Sequence, residues 1–306
     1  MQIKNHAFAS IAGTHTQNDG RVRIQLMSDL HLDTYTGPYA GSARILRHPD
    51  ADLVVVAGDI GDGPSRLGQL RKMLGAGPIV MVAGNHDVMG LWWHSSIEVL
   101  KAEAEKHDIV LLENEEWQFK GIRFLGCTLW TDFEIYGLHN FAELTRRVPE
   151  CLPEYGAIAV ANAAAPDFSS PGGARLLRPS DVIDRHHASR AWLHEKLQTM
   201  DDQATVVLTH HLPHKKSVHP QYHGAASTGG FASNCEELFY QPCNPVYWFH
   251  GHTHHCVEYL EYRTTVVCRP MGYPRMNSAK GLTENLAFDA LGPLLCVPRC
   301  SAPSLP

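Results

Sequence analysis

Five short motifs in this sequence combine residue types that bind metal ions and transfer protons. They contain carboxylates, imidazoles and one carboxamide, and three of them include a glycine that permits a tight turn. In chain order the motifs are Asp29-x-His31, Gly58-Asp59-x-x-Asp62, Gly84-Asn85-His86-Asp87, Val207-x-x-His210 and Gly251-His252-x-His254.

Each motif directly follows an apolar run, at residues 22–27, 53–57, 78–83, 205–208 and 246–249. Short apolar runs closed by a turn are typical of buried parallel strands, which present polar groups beyond their carboxyl ends. Because Gly, Asn and Asp are ordinary turn residues, one such junction has little specificity. Five in succession predict that these side chains meet in one crevice. Within a motif, residues two apart, such as Asp29 and His31, would face the same side if the strand geometry persists.

The segments between the motifs predict helices that cover the sheet. Leucines recur at i, i+3 and i+7 from Leu67 until Gly75, and Ser95 with Glu98 forms a capping box for a helix through residue 105. This alternation predicts an α/β fold with a parallel-rich sheet covered on both faces. Further strands are expected at residues 109–112, 117–119, 122–129, 257–262 and 265–268.

We expect one domain over residues 21–280, preceded by a flexible N-terminal segment (1–20) and followed by a weakly structured tail (281–306). Residues 134–180 interrupt the pattern with five prolines and the Gly172-Gly173 pair, which predicts an irregular insertion with at most a short helix. Two roles are open for it: a cap over the site that selects the substrate, or a solvated excursion.

Composition excludes several classes of function. The 306-residue chain is 44% hydrophobic and carries a formal charge of −6, which argues against a general nucleic-acid or anionic-membrane binder. Residues 1–20 lack the apolar segment of a secretory signal, and no run approaches the roughly 18 residues of a membrane span. The eight cysteines include no Cys-x-x-Cys pair, which predicts reduced thiols and a cytoplasmic location. The oligomeric state is left open.

Taken together, the five motifs resemble the signature of the calcineurin-like metallophosphoesterases, which has these blocks in this order. The resemblance extends from the first strand to His254. It implies a four-layer α/β/β/α sandwich of two mixed sheets flanked by helices, and hydrolysis of a small phosphoester at two metal ions.

The resemblance also implies the ligands of both ions. One ion would take Asp29, His31, Asp59 and His254, and the other would take Asp59, Asn85, His210 and His252. Two cations about 3.5–4 Å apart repel each other, so a shared carboxylate, here Asp59, and a shared hydroxide must lie between them. A mixture of imidazole, carboxylate and amide suits Mn, Fe or Zn better than calcium, which prefers oxygen alone.

By the same resemblance, His86 would face the substrate, where it stabilises developing negative charge or protonates the leaving oxygen, and Asp62 would orient its ring. Asp62 has an alternative role as an acid at the start of the following helix. Asp87 is assigned to support of the turn.

His210 is the ligand that the Val-x-x-His motif selects, and strand alternation would then turn His211 away. If the strand has already ended, that argument fails. His211 is then either a substrate contact or, as we favour, a buried histidine behind the ligands. Lys215 and Lys216 could offer charge to a phosphate or belong to a solvated loop.

The sequence departs from the protein-phosphatase branch of this family. Asp62 is followed by Gly63-Pro64 where that branch has Arg-Gly, and Asp87 stands where it has Glu, which makes a phosphoprotein substrate less expected. Residues 128–133 and 270–274 resemble a branch of bacterial predicted phosphoesterases instead.

The resulting hypothesis is a phosphodiesterase in which a metal-bridging hydroxide attacks phosphorus in line while His86 assists the leaving group. A phosphomonoesterase is the nearest alternative. A non-catalytic metal-binding scaffold, like the retromer subunit of this family, is a third, although such a protein need not keep a complete ligand set. A nucleotide-binding oxidoreductase is disfavoured because no Gly-x-Gly-x-x-Gly follows the first strand.

Overall fold

The computed structural model describes residues 20–41, 45–161, 173–199, 203–243, 245–274 and 294–299. Its strands are β1 (Arg21–Met27), β2 (Leu53–Ala57), β3 (Ile79–Val82), β4 (Ile109–Leu112), β5 (Glu115–Phe119), β6 (Ile122–Cys127), β7 (Ala159–Ala161), β8 (Ala174–Leu176), β9 (Ala204–Thr209), β10 (Tyr247–His250), β11 (Val257–Glu261), β12 (Thr264–Cys268) and β13 (Leu295–Pro298). Its α-helices are α1 (Arg66–Leu74), α2 (Asn85–Val88), α3 (Ser96–Lys106), α4 (Phe141–Cys151), α5 (Glu154–Ala157) and α6 (Pro179–Gln198). The expected N-terminal segment lies, except for Gly20, outside the described residues.

Two mixed sheets form the centre of the molecule, as the family resemblance implies. The first has the order β13-β1-β2-β3-β4, in which only β13 is antiparallel to its neighbour. The second has the order β11-β12-β10-β9-β6-β5, with β11 and β5 antiparallel at its two edges. A separate pair, β7 and β8, lies outside both sheets.

Apolar residues on successive strand positions bury both faces of each sheet. On β2, Val54 and Val56 pack in the same core as Leu67 of α1, whereas Val55 belongs to the core between the two sheets. On the far side of the second sheet, Leu193 of α6 packs in one core with Val207 and Trp248. The layer order is therefore helix, sheet, sheet, helix.

Within the segment 134–180, of which residues 162–172 lie outside the described residues, residues 134–161 and 173–180 are more regular than the sequence predicts. They contain α4, α5 and the antiparallel pair β7 and β8, and Leu144, Val148 and Tyr155 are buried in the core beside α1 and α3. The prolines caused the error, because Pro149 lies within the last turn of α4 and Pro153 is the N-cap of α5. At the start of α5 a proline costs no intrahelical hydrogen bond, whereas Pro149 removes one near the end of α4, where Val148 is nevertheless buried in the core.

The prediction of a weakly structured C-terminal tail is wrong for β13. This strand pairs with β1, and Val297 is buried between the sheets. Its two inward residues, Leu295 and Val297, are too few to give a recognisable periodic signal. Residues 281–293 lie outside the described residues. Within the described ranges, no helix is long and apolar enough to span a membrane, and all seven described cysteines are free thiols.

Candidate metal centre

The carboxyl ends of β1, β2, β3, β9 and β10 meet at one edge of the sandwich. The link between the two sheets is direct, because the backbone N–H of His252 donates to both carboxylate oxygens of Asp29, at 2.9 and 3.0 Å. Within the second sheet, the backbone N–H of Gly251 after β10 donates to the carbonyl of His210 after β9 at 3.0 Å. The junctions identified in the sequence therefore form one crevice.

The chain turns sharply at these junctions, and several predicted ligands have left-handed backbone conformations. The φ angle is +53° at Asp29, +42° at His31, +57° at Asp59, +68° at His252 and +51° at His254. Such values are uncommon for residues with a side chain, and they cluster at functional sites where surrounding contacts enforce them. The condition that strand geometry persists through Asp29 and His31 is not met, because β1 ends at Met27, and the turn instead brings the two side chains together.

Asp29, His31 and His254 form a first group of converging donors. Nε2 of His31 lies 3.0 Å from Nε2 of His254, which in turn lies 3.4 Å from Oδ1 of Asp29. Asp29 and His31 are completely buried. These are three of the four side chains predicted for the first ion.

Asp59 lies between this group and a second one. Its Oδ2 is 3.9 Å from Nε2 of His31 and 3.4 Å from Nε2 of His210. Its Oδ1 accepts a hydrogen bond from the backbone N–H of His86 at 2.9 Å. A carboxylate at this place can serve both groups, as the predicted bridging role requires.

The second group contains Asp59, His210 and His252, with Asn85 beside them. Nε2 of His210 lies 3.1 Å from Oδ1 of Asn85 and 3.0 Å from Nδ1 of His252. Nδ1 of His210 donates to the carbonyl of Ala57 at 2.7 Å, so that Nε2 is the nitrogen that faces the crevice. The side chains predicted for the second ion thus converge as well.

Two glycines and one acid hold these turns in place. A Cβ on Gly84 would lie 2.0 Å from Oδ1 of Asp59, and a Cβ on Gly251 would lie 2.5 Å from the carbonyl oxygen of Ala57. The carboxylate of Asp87 accepts from the backbone N–H groups of Asp59 and Gly84, each at 2.8 Å. Asp87 thus lies where a residue that supports the turn should lie.

Burial disfavours the charged form of every titratable side chain in the crevice, whereas attraction between carboxylates and imidazoles favours it. Burial would raise the pKa of Asp59, but the adjacent His210 and His86 hold it well below its usual range. Burial lowers the pKa of His31 to about 3 and, with His211 and His210 nearby, holds the pKa of His252 well below its usual value. His31 and His252 are therefore neutral imidazoles, the form that binds metal ions.

The donor set fits a pair of borderline metal ions. In each group the ligand atoms lie within 4.8 Å of one another, and imidazole nitrogens 3.0 Å apart need a proton or a cation between their lone pairs. Imidazole with carboxylate and amide oxygen is a typical set for Mn, Fe or Zn. The assignment of individual ligands remains a prediction.

His86 faces the same crevice, and its donor atom also groups with those of His31 and Asp59. Its Nδ1 lies 2.8 Å from Oδ1 of Asp62, and its side chain is 14% exposed. Burial lowers the pKa of His86, but the charges of Asp59 and Asp62 outweigh this effect and raise it. Asp62 lies three residues before Ser65, the N-cap of α1, so its contact with His86 agrees better with the predicted orienting role than with the helix-start alternative.

His211 lies behind the ligands. Because β9 ends at Thr209, strand alternation does not determine the direction of this side chain. Its ring is buried, and its ring centroid lies 5.0 Å from that of Trp130 and 4.6 Å from that of His252. It is absent from the residues that line the adjoining cavity, which favours the buried-histidine alternative.

A cavity of about 220 Å³ adjoins both donor groups. Beyond the predicted residues, its lining includes Leu152, Pro153, Glu154, Tyr222, Phe231 and Tyr273. The first three belong to the 134–180 segment, which therefore reaches the site, although its role as a cap remains a prediction. Lys215 and Lys216 do not line the cavity, and Lys216 instead pairs with Glu261 at 2.7 Å, as expected of the solvated-loop alternative.

Tyr273 and Glu154 are site residues that sequence reasoning missed. Tyr273 stacks on His31 with ring centroids 4.3 Å apart, and its hydroxyl lies 3.3 Å from Nε2 of His86. The family-like piece at residues 270–274 was the available signal for it. Glu154 is buried, its pKa is raised to about 7 by burial, and no local pattern marks it.

Comparison with known proteins bears on the family and the fold. A family model described as calcineurin-like phosphoesterase matches residues 22–256. Among solved structures, the chain is similar to a phosphopantetheinyl hydrolase from Mycobacterium tuberculosis, with a TM-score of 0.60 and 16% identity over 85% of this chain and 93% of that one.

Two further structures are less similar. One is a putative 5′-nucleotidase from Staphylococcus aureus, with a TM-score of 0.43 and 14% identity over 81% of this chain and 48% of that one. The other is GAP50, the anchor in the inner membrane complex of Plasmodium, with a TM-score of 0.41 and 9% identity over 82% of this chain and 71% of that one. No curated protein matches the chain.

Proposed function

Because the chain belongs to the calcineurin-like phosphoesterase family, we propose that it is a metal-dependent phosphoester hydrolase that acts on phosphodiesters. The observation that carries this proposal is the convergence of buried carboxylate, imidazole and amide donors from five strand ends in two adjacent groups that share Asp59. A scaffold protein gains nothing from such a set, since burying charged groups without ligands costs stability.

In this proposal Asp29, His31 and His254 would hold one ion, Asn85, His210 and His252 would hold the other, and Asp59 would serve both groups. Two such cations, when bound, activate water as the nucleophile and neutralise charge on the phosphoryl oxygens. Mn, Fe and Zn are the candidates that suit these donors.

His86 would supply the proton that the leaving alkoxide needs. Nδ1 of its ring is held by Asp62 at 2.8 Å, which leaves Nε2 directed towards the cavity. The negative charges of Asp59 and Asp62 keep the pKa of His86 raised despite burial. The protonated form of this ring is the one that can act as a general acid.

The cavity lining supports a diester rather than a monoester. Among the described residues, no lysine or arginine lines it, whereas a doubly charged monoester gains from a cationic side chain. A diester carries one negative charge and a second organic group. Leu152, Tyr222 and Phe231 form an apolar wall that such a group can contact.

The test is hydrolysis of bis(p-nitrophenyl) phosphate and p-nitrophenyl phosphate by the purified protein loaded with Mn, Fe, Zn, Ni or Co. We expect the higher kcat/KM for the diester, and loss of both activities in Asp59→Asn. Cleavage of the monoester alone would refute the diester preference, and no cleavage with any metal would favour the scaffold alternative. A second panel of cyclic nucleotides, phospholipid headgroup esters and a phosphopantetheinyl ester would then narrow the substrate class.

A further inference from the structure

Glu154 is a buried acid to which the proposed reaction gives no role. It begins α5, its side chain is 1% exposed, and it reaches the cavity wall beside the second donor group. Its Oε2 accepts a hydrogen bond from Nδ2 of Asn85 at 3.3 Å. Burial raises the pKa of Glu154 to about 7 although the charge of His86 lowers it, and a buried acid of this kind is costly, which raises the question of what its contact with Asn85 achieves.

The contact determines which end of the Asn85 amide faces the second group. A carboxamide has an oxygen and a nitrogen of nearly equal size, and only the oxygen can bind a metal ion. In the structure Oδ1 lies 3.1 Å from Nε2 of His210 in the second group, while Nδ2 faces Glu154. A cation at the second group would favour the ionised form of Glu154, and because that form only accepts hydrogen bonds, it stabilises this orientation and disfavours the flipped one.

A carboxylate beside the amide also changes the strength of the ligand. Negative charge near Nδ2 polarises the amide and increases the negative charge on Oδ1, and such outer hydrogen bonds commonly tune metal affinity. The effect is large where water is excluded, and Asn85 is only 2% exposed.

We propose that Glu154 is a positioning residue that orients and polarises Asn85 for the second metal ion, so that the 134–180 segment contributes to metal binding. This inference rests on the proposed function, because it requires an ion at the second group. It assigns a role to a residue 69 positions away from the amide that it orients.

The test is calorimetric titration of the metal-free full-length protein with Mn²⁺, with electron paramagnetic resonance to detect a coupled pair of ions. Glu154→Met removes the acceptor and the charge while keeping a side chain of similar length. We expect it to weaken one of the two Mn²⁺ affinities by about 10- to 100-fold and to leave the other unchanged. Glu154→Gln keeps an oxygen that can accept from Nδ2, so we expect it to restore most of the affinity, to within about 10-fold of wild type.

Glu150→Gln is the matched control, because Glu150 lies on α4 in the same segment and its side chain is 64% exposed. It should bind both ions as wild type does. Unfolding of each variant without metal separates a role in positioning from a role in folding, since a positioning role leaves the metal-free stability of Glu154→Gln close to that of wild type.

The outcomes separate this inference from the proposed function. If wild type binds two Mn²⁺ ions and Glu154→Met binds them equally well, the inference is wrong and the hydrolase proposal stands. If wild type binds no pair of ions, both fail. Should Glu154→Met not fold, Glu154→Gln decides alone: loss of the charge should weaken one affinity several-fold, and two unchanged affinities would overturn the inference.

Discussion

Asp59 is the residue that the two donor groups share. Its Oδ2 lies near both His31 and His210, and its backbone N–H donates to the carboxylate of Asp87. Its carboxylate stays ionised although burial would raise its pKa, because the adjacent His210 and His86 hold that pKa well below its usual range. Removing the Asp59 side chain would therefore take a donor from both groups, whereas removing His254 or His252 would take a donor from one group only.

His86 provides the most direct test of chemistry at the residue scale. Replacing it with Ala should lower kcat for a diester by about 10²- to 10⁴-fold, since a general acid is lost, while both metal ions remain bound. The loss should be smaller for a p-nitrophenyl ester than for an alkyl ester, because p-nitrophenolate leaves without protonation. Steady-state kinetics on both esters, together with metal analysis, measure this, and equal hydrolysis by wild type and variant would remove the proposed role.

At the scale of elements, the site depends on tight turns after strands rather than on the strands themselves. The turn after β3 passes so close to Asp59 that Gly84 has no room for a side chain. Left-handed backbone conformations turn four side chains towards the crevice, where a continued strand would not direct them. These residues are Asp29, His31, His252 and His254. The sheets supply the rigid frame that enforces these conformations.

Gly84→Ala tests the turn. The added Cβ would lie 2.0 Å from Oδ1 and 2.6 Å from the backbone nitrogen of Asp59, so the turn must move. We expect the free energy of unfolding of the metal-free protein to fall by about 1–3 kcal/mol, and Mn²⁺ affinity to drop sharply.

Gly156→Ala is the control for this substitution. A Cβ at Gly156, in α5 beside the cavity, meets nothing within 4 Å, so its effect should stay within about 0.5 kcal/mol. Denaturant unfolding and metal titration compare the two variants. If Gly84→Ala and Gly156→Ala had the same unfolding free energy and Mn²⁺ affinity, the close approach of Gly84 to Asp59 would not constrain the turn after β3.

At the scale of the whole molecule, a polar network joins α6 to the loops that follow β6 and β9. Asp132 is 3% exposed, and its Oδ2 lies 3.4 Å from Nε2 of His186 and 3.3 Å from an amino group of Arg190. Its backbone N–H donates to Oγ of Ser233 at 3.1 Å. Burial would raise the pKa of Asp132, but the adjacent imidazole of His186 holds it at about 2.

This network predicts a pH-dependent stability. Because the folded pKa of Asp132 is about 2, below the ordinary value of 3.8, its contribution is present above pH 3.8 and is lost as the pH falls through 2. The difference in unfolding free energy between wild type and Asp132→Asn should therefore include about 2 kcal/mol above pH 4 that shrinks towards pH 2. Denaturant unfolding of the metal-free proteins at pH 3, 4, 5 and 7 measures it, and a difference independent of pH would contradict the assignment.

Glu150→Gln serves again as the comparison, since an exposed carboxylate gains little from folding. Its difference from wild type should be close to zero at each of these pH values. A decrease that also appears in this variant would point to general acid sensitivity of the protein instead of to Asp132.

The sequence alone determined the order and type of the donor residues, the strands that precede them and the family resemblance, because apolar runs and turn residues are local signals. The same local reasoning failed where the outcome depends on packing. Residues 134–180 contain prolines that suggest irregularity, yet Leu144 and Tyr155 find a core to cover, and the helices form. The strand β13 forms because it can pair with the free edge of β1. Its two alternating apolar residues are too few to predict this pairing from the sequence.

Only the tertiary structure decided how the donors are aimed and what surrounds them. Left-handed φ angles at Asp29 and His252 follow from contacts between two sheets, and no residue type in these motifs requires them. Glu154 meets Asn85, and Tyr273 meets His31, across long stretches of chain. The physical reason is that a hydrogen bond or ring contact depends on distance in space, whereas the signals in a sequence extend over only a few turns of helix or one strand.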